Sequence, residues 1–351
     1  MSEQMTHRER VMAAIRHKEV DRLPVDYWGT ADATGKLMKS LGAGAERDLW
    51  ELLNIDKIVE IVPVWRGPRE DIWGIVNKKV AIAGGEGFYD EVISHPLSQY
   101  STVDEIEKNY IWPATDMFDY SVIAGLCREY DGYAIHGGYI SLQWFYDRLR
   151  GTEQMLYDLA GDPELARYIF AKLQVFLHEH VKKILEAGGG RIDIAHVTDD
   201  FGTQAGLMIG LPMIRDYMEE YYIENIAMIK SYGAAVFHHD DGAMMKAMPW
   251  LDSMGIEVLN PLQWRLPGWD LPALKRDYGG RICFHGGIDN QFVLPFGTPE
   301  DVEKEVKYCV ESLFGDKTGY ILAPCHNVQV ISPVENIVRM YEAAARYGAV
   351  K

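Results

Sequence analysis

Short apolar runs recur along the chain, and most stop abruptly at polar residues able to bind a metal or a substrate. YAIHGG carries His136. IDIAHVTDD ends in Asp199 and Asp200. AAVFHHDDG ends in His238, His239, Asp240 and Asp241. GIEVLNPLQ ends in Asn260 and Gln263, RICFHGGID carries His285, and GYILAPCHN ends in Cys325 and His326. Short, nearly continuous apolar runs separated by helical stretches read as parallel strands buried on both faces. Chemistry gathered at the C-terminal ends of such strands is the pattern of a (β/α) barrel.

Eight runs emerge. Thr6-His7-Arg8-Glu9 is a capping box and predicts a helix through about Arg16. LPVDYWG is the first strand and IDKIVEIVPVW the second, with a helical stretch around Leu49, Trp50 and Leu53 between them. Residues 73–96 alternate, contain Gly84, Gly85 and Gly87, and end in Pro96. They predict a β-hairpin inserted after the second strand at the rim of the barrel. Residues near 103–130 read as mainly helical. GYAIHGG is the third strand, and a helical region from about Gln143 to Ala187 follows, broken near Gly161-Asp162-Pro163. Strands and helices then alternate: RIDIAHVTD, AAVFHHD, IEVLNP, RICFHGG and YILAPC, each followed by a helix. The expected fold is α/β: a single (β/α)8 TIM barrel over residues 1–351, with the hairpin as an insertion. An open doubly wound sheet is the alternative, but no GxGxxG follows a strand.

Composition narrows the function. The net charge of −17 disfavours nucleic acid or an anionic membrane as partner. No apolar run approaches a membrane span, and MSEQMTHRER lacks the apolar core of a signal peptide. Cys127, Cys283, Cys309 and Cys325 are widely spaced, so free thiols and a cytoplasmic location are expected.

The sharpest local motif is His239-Asp240-Asp241-Gly242. His239 and Asp241 share a face by the two-residue period, and Cys325 ends the eighth strand across the mouth. Imidazole, carboxylate and thiolate are all zinc ligands, and three of them with an open position make a catalytic site. A hydrogen-bonded polar pair and a buried thiol are the plainer alternative. The pair His238 and Asp240 has the same spacing. Asp199 and Asp200 are either acid–base groups or a helix-entry turn, and His136, His285 and His326 are further polar candidates. Asn260 and Gln263 suit orientation of a ligand. Gly286-Gly287 allows close backbone approach or a tight turn. Tyr27, Trp28, Trp65, Trp144 and Phe201 lie near strand ends and either wall an apolar pocket or belong to the core.

These segments resemble the uroporphyrinogen decarboxylase superfamily. The resemblance runs from RERVMAAIRHKEVDRLPVDYW through DDFGTQAGLMI and HHDDGAMMKAMPWLDSMGIEVLNPLQ to HGGID and PVENIVRMYEAAARYG. It implies a (β/α)8 barrel with one of two activities: metal-free decarboxylation, or zinc-dependent methyl transfer involving a corrinoid on another protein. The decarboxylase branch carries an arginine-bearing segment after its first strand. Here that segment is PVDYWGTADATG, without arginine. The methyltransferase branch carries H-x-C-G and a Cys after the last strand. The resemblance therefore implies zinc on His239, Asp241 and Cys325, with Asp241 in place of a thiolate, and Gly242 favours His239 and Asp241 over His238 and Asp240.

A carboxylate for a thiolate hardens the site and favours an oxygen leaving group. The expected activity is methyl transfer from a small-molecule donor, an aryl methyl ether such as a methoxylated phenol or benzoate, to the cob(I)amide of a corrinoid protein. Zinc would be the Lewis acid. Asp199, Asp200, His285 and His326 are the expected catalytic residues. Tyr27, Trp28, Trp65, His136, Phe201, Asn260 and Gln263 are the expected substrate contacts. A methylcorrinoid:thiol methyltransferase, a decarboxylase, a metal-dependent hydrolase and a non-catalytic scaffold are the alternatives.

Overall fold

A computed structural model describes residues 4–81 and 88–350. Its strands, in chain order, are β1 (Ile58–Glu60), β2 (Val64–Trp65), β3 (Val76–Ala81), β4 (Phe88–Ser94), β5 (Phe118–Asp119) and β6 (Ala134–Ile140). They continue with β7 (Ile194–Val197), β8 (Ala235–His239), β9 (Val258–Asn260), β10 (Cys283–Ile288) and β11 (Tyr320–Pro324). The main sheet is parallel, in the order β1-β6-β7-β8-β9-β10-β11. Its two ends meet on the first predicted strand. Leu322 of β11 exchanges backbone hydrogen bonds with Pro24 and Asp26, while Asp56, just before β1, donates its N–H to Val25 O. The curled sheet is thus closed, as the apolar runs predict. The first strand makes isolated bridges rather than a continuous ladder.

Burial explains the closure. The β7 to β11 strands are almost wholly buried, because helices cover them outside and side chains fill them inside. Below the strands Asp56, fully buried, accepts from His7 Nδ1 at 2.8 Å, Arg10 at 2.5 Å, Arg22 at 2.7 Å and Val25 N at 3.1 Å. This ties the N-terminal helix His7–Ile15, with its Thr6/Glu9 capping box, to the barrel floor. No helix among the described residues is long and apolar enough to cross a membrane.

Several local readings need correction. The run IDKIVEIVPVW gives the barrel only three residues. Pro63 has no N–H for a ladder, and β2 leaves to pair antiparallel with β5. The region 103–130 holds two short helices, Val103–Asn109 and Ile123–Glu129, with β5 between them. The helical region before β7 breaks twice, at Gly151, whose φ is 84°, and at Asp162, giving Leu142–Arg150, Thr152–Gly161 and Pro163–Gly188. The inserted hairpin is present as β3 and β4. Its base is held by His95 Nδ1 donating to Arg148 O at 2.8 Å, on the helix that follows β6. Gly84, Gly85 and Gly87 lie outside the described residues.

One irregularity positions the site. Gly137 and Gly138 in β6 lie against helix Pro163–Gly188, where an added Cβ would meet Ile184 at 2.9 Å or Val181 at 2.8 Å. The register shifts between His136 and Tyr139. The bulge brings both rings to one side, T-shaped with centroids 4.5 Å apart.

Candidate functional site

Alternation at the end of β8 sorts the four polar residues. His238 is fully buried, donates Nδ1–H to Val197 O at 2.8 Å, and lies among Phe201 and Tyr222 in the helix layer. Asp240 is also fully buried and accepts from the N–H groups of Phe201 and Gly202 at 2.9 and 3.0 Å. These two hold the β7–β8 loops together. His239 and Asp241 face the mouth, with His239 Nε2 3.9 Å from Asp241 Oδ2 and 4.0 Å from Asp200 Oδ1. His326 Nε2 lies 3.8 Å from the same Asp241 oxygen.

Behind His239 runs a buried chain of hydrogen bonds whose polarity can be deduced. Asp26 is fully buried. Burial alone would raise its carboxyl, but Lys57 at 3.6 Å and the His285 hydrogen bond outweigh that and bring it to about 2. The ionised carboxylate only accepts, so His285 Nε2 donates to it at 3.0 Å. His285 Nδ1 is then the acceptor for Asn260 Nδ2 at 2.8 Å. That Asn260 atom also meets His285 O at 3.3 Å; a carbonyl cannot donate, which fixes the amide orientation. Asn260 Oδ1 therefore accepts Nδ1–H of His239 at 2.5 Å. The His239 Nε2 lone pair is left facing Asp241 and His326.

The cavity at the mouth has a volume of about 370 Å³, and its walls include Trp28, Trp144, Tyr139, His196, Asp200 and His239. Trp28 is pinned through Nε1 to Asp26 at 2.9 Å and stacks toward His239 at 5.8 Å and 27°. Around Asp200, burial raises the carboxyl, His239 opposes the rise and Asp241 adds to it.

Of the expected catalytic residues, Asp200 and His326 border this cavity. His285 and Asn260 are fully buried and act through His239, so neither is a substrate contact. Asp199, also at the cavity's edge, is occupied by Ser141 Oγ, Trp144 N and Tyr222 Oη, each at 3.0 Å, and starts helix Leu142–Arg150. Trp28 is a wall, as expected. Tyr27 and His136 line a neighbouring cavity of about 560 Å³. Phe201 is core, packed on Tyr222 and Trp250. Trp65 borders neither cavity; it packs at a tilt against Phe118 and donates Nε1–H to Arg69 O, because β2 leaves the barrel. Gln263 accepts from Gly242 N at 2.5 Å and steadies the loop after β8. Gly286 and Gly287, with φ of 114° and 105°, face protein: a Cβ would meet Leu262 N or Tyr320 Oη.

Cys325, the expected third ligand, is not in the group. Its thiol donates to Leu262 O at 3.2 Å and is pushed up by burial, and His326 stands beside Asp241 instead. Asp26, Tyr139 and His196 were not singled out as site residues. The polar end of LPVDYWG and the Gly137-Gly138 pair were the available signals for the first two.

The donor set fits a divalent metal ion. One ligand atom each from His239, Asp241 and His326 lies within 4.8 Å of the others. Three ligands about 2.1 Å from one zinc sit roughly 3.4 Å apart, so the observed spacing needs only a small contraction. Asp241 Oδ1 is buried without a hydrogen-bond partner.

A family model for uroporphyrinogen decarboxylase (URO-D) matches residues 147–347. No curated protein sequence matches the chain. Among solved structures, a methyltransferase from Methanosarcina mazei is similar at 16% identity and a TM-score of 0.70, over 98% of this chain and 99% of that one. A B12-independent methionine synthase from Shewanella sp. W3-18-1 is more distantly similar, at 15% identity and a TM-score of 0.45, over 93% of this chain and 97% of that one. At these identities the first similarity speaks to the fold along the whole chain, and nothing is drawn from the second. The family match spans more than half of the sequence, and the chain belongs to the uroporphyrinogen decarboxylase (URO-D) family.

Proposed function

We propose that the protein is a methyltransferase that takes a methyl group from a methoxylated aromatic compound and passes it to the cob(I)amide of a separate corrinoid protein. The observation that carries this reading is the juxtaposition at the barrel mouth. A donor set of two imidazoles and a carboxylate faces a cavity walled by Trp28 and Trp144. His239, Asp241 and His326 would hold zinc, which supplies Lewis acidity toward an oxygen leaving group. The partner's corrinoid supplies the nucleophile.

The chain's own residues do the rest. Asn260 keeps the Nε2 lone pair of His239 turned to the mouth. Trp28, held by Asp26, offers a fixed flat wall for the ring. Asp200, its carboxyl raised mainly by burial, is placed to protonate the departing phenolate. The group holds no thiolate, and this weighs against thiol methylation, which favours softer ligands.

A metal-dependent hydrolase is the second reading. It is favoured by the same donor set and by Asp200, 4.0 Å from His239, as a base for water. One experiment separates the two: anaerobic incubation with free cob(I)alamin and a panel of methoxylated aromatics, followed by the visible spectrum of methylcobalamin. Formation of methylcobalamin with stoichiometric release of the phenol supports methyl transfer. No methylcobalamin from any donor rejects it.

A further inference from the structure

We propose that the larger cavity beside the metal centre is a second chamber for the body of the methyl donor, and that His196 selects donors whose ring bears an uncharged hydroxyl group. This rests on the methyl-donor reading above. The two cavities, about 370 and about 560 Å³, share Trp28, Tyr139 and His196 as walls. Each is in the range of small-molecule sites. A methoxy oxygen in the first chamber therefore leaves the ring's substituents toward the second.

His196 packs by its ring, but none of the side-chain hydrogen bonds among the described residues uses it. It sits mid-sheet in β7, paired in register with Tyr139 of β6 and Phe237 of β8. Its ring lies flat on Phe237, with centroids 4.3 Å apart and planes 5° apart, and 4.1 Å from the His136 ring. It is only 3% exposed, and Nδ1 has no hydrogen-bond partner. The ring borders both cavities, where a ligand hydroxyl would give it the hydrogen-bond partner that the fold does not. The phenol of Tyr139, T-shaped to His196 at 4.5 Å, supplies a second polar group.

The charges specify which polar group fits. Lys57, Glu46 and Glu60 line the larger cavity. The Lys57 ammonium is already engaged, donating to Tyr27 O at 2.8 Å and lying 3.6 Å from Asp26. Glu46 repels a carboxylate, Glu60 has its carboxyl raised by burial, and the lining among the described residues offers no further cation to neutralise one. A quaternary ammonium would suit the acids but cannot hydrogen-bond to His196. A neutral hydroxyl satisfies both constraints. The expectation thus narrows from methoxylated phenols or benzoates to the phenols.

The test is ligand binding without corrinoid, followed by tryptophan fluorescence on the zinc-loaded protein. The ligands are anisole, the methoxyphenols, 2-methoxybenzoate and trimethylanilinium. The methoxyphenols should bind at least about tenfold more tightly than anisole or the benzoate, the scale of one buried hydrogen bond. His196→Leu should abolish the preference, bringing methoxyphenol affinity down to that of anisole in the same variant. His196→Gln should keep part of the preference. Tyr139→Phe, at a 37% exposed position, should reduce the preference even if His196→Leu fails to fold. Tightest binding of the benzoate or the ammonium compound, no binding of any ligand, or a preference that survives these variants unchanged overturns the chamber. Preferential phenol binding without methylcobalamin formation supports the chamber and rejects methyl transfer. Equal turnover of anisole and methoxyphenol by wild type and His196→Leu does the reverse.

Discussion

Replacing Asn260 by Leu tests the deduced polarity of the chain behind the metal centre. The substitution keeps the volume and removes one amide that serves three groups: His239 Nδ1–H at 2.5 Å, His285 Nδ1 at 2.8 Å and His285 O at 3.3 Å. His239 then loses what fixes its tautomer and ring orientation. Loss of an outer hydrogen-bond partner of a metal-binding histidine typically costs about 10–100-fold in affinity, or roughly 1.4–2.8 kcal/mol. Folding stability should fall as well, by roughly 1–3 kcal/mol for each buried group left unpaired, or roughly 3–9 kcal/mol for all three against the about 5–15 kcal/mol of an ordinary domain. The assay is competition for Zn²⁺ against a chromophoric chelator. Cobalt substitution adds a visible spectrum that reports the ligand geometry, and far-ultraviolet circular dichroism confirms the fold. Asp26→Asn should give a smaller loss in the same direction, since two hydrogen bonds intervene before His239. Wild-type zinc affinity and an unchanged cobalt spectrum in folded Asn260→Leu would refute the deduction.

Three further outcomes follow from the same structure. His326→Ala should lower zinc affinity by more than about 100-fold, beyond the range of an outer partner, while Cys325→Ala leaves it near wild type; the reverse order, read by the same titration, would return the third ligand to Cys325. Acid should destabilise the protein through His136 and His238, both lowered to about 4 by burial. Their contribution is complete above the unfolded value of about 6.5 and is lost as pH falls toward the folded value. Each histidine therefore costs about 2 kcal/mol between pH 7.5 and 5, and urea unfolding at the two pH values with no difference would contradict this. Asp56→Asn should cost about 1–3 kcal/mol in denaturant unfolding, because it removes the buried carboxylate shared by Arg10 and Arg22 while Asp21 still pairs with Arg10. Zinc affinity should stay unchanged, since Asp56 precedes β1 at the barrel floor.

The architecture was legible because parallel strands buried on both faces must be apolar along their length, so each polar residue ending a run marked a strand end. The same reasoning located Asp200, His239, Asp241 and His326 at one mouth, and two-residue alternation separated His239 from His238. It failed where alternation stops or is broken. β11 ends at Pro324, so Cys325 and His326 lie beyond the strand, where period two no longer says which side chain turns inward. The bulge in β6 adds a residue and brings Tyr139 to the side of His136, against the expected parity. Asn260 and His285 were read as groups meeting the substrate because strand-end polarity does not distinguish a residue facing the cavity from one held behind it. That distinction depends on Asp26, 259 residues from His285 in sequence, and on the ring closure that seats the first strand next to β11. Once that closure is in place, an ionised Asp26 dictates the proton on His285, the direction of Asn260 and the free nitrogen of His239. The metal-binding face of one strand is thus set by a carboxylate on another.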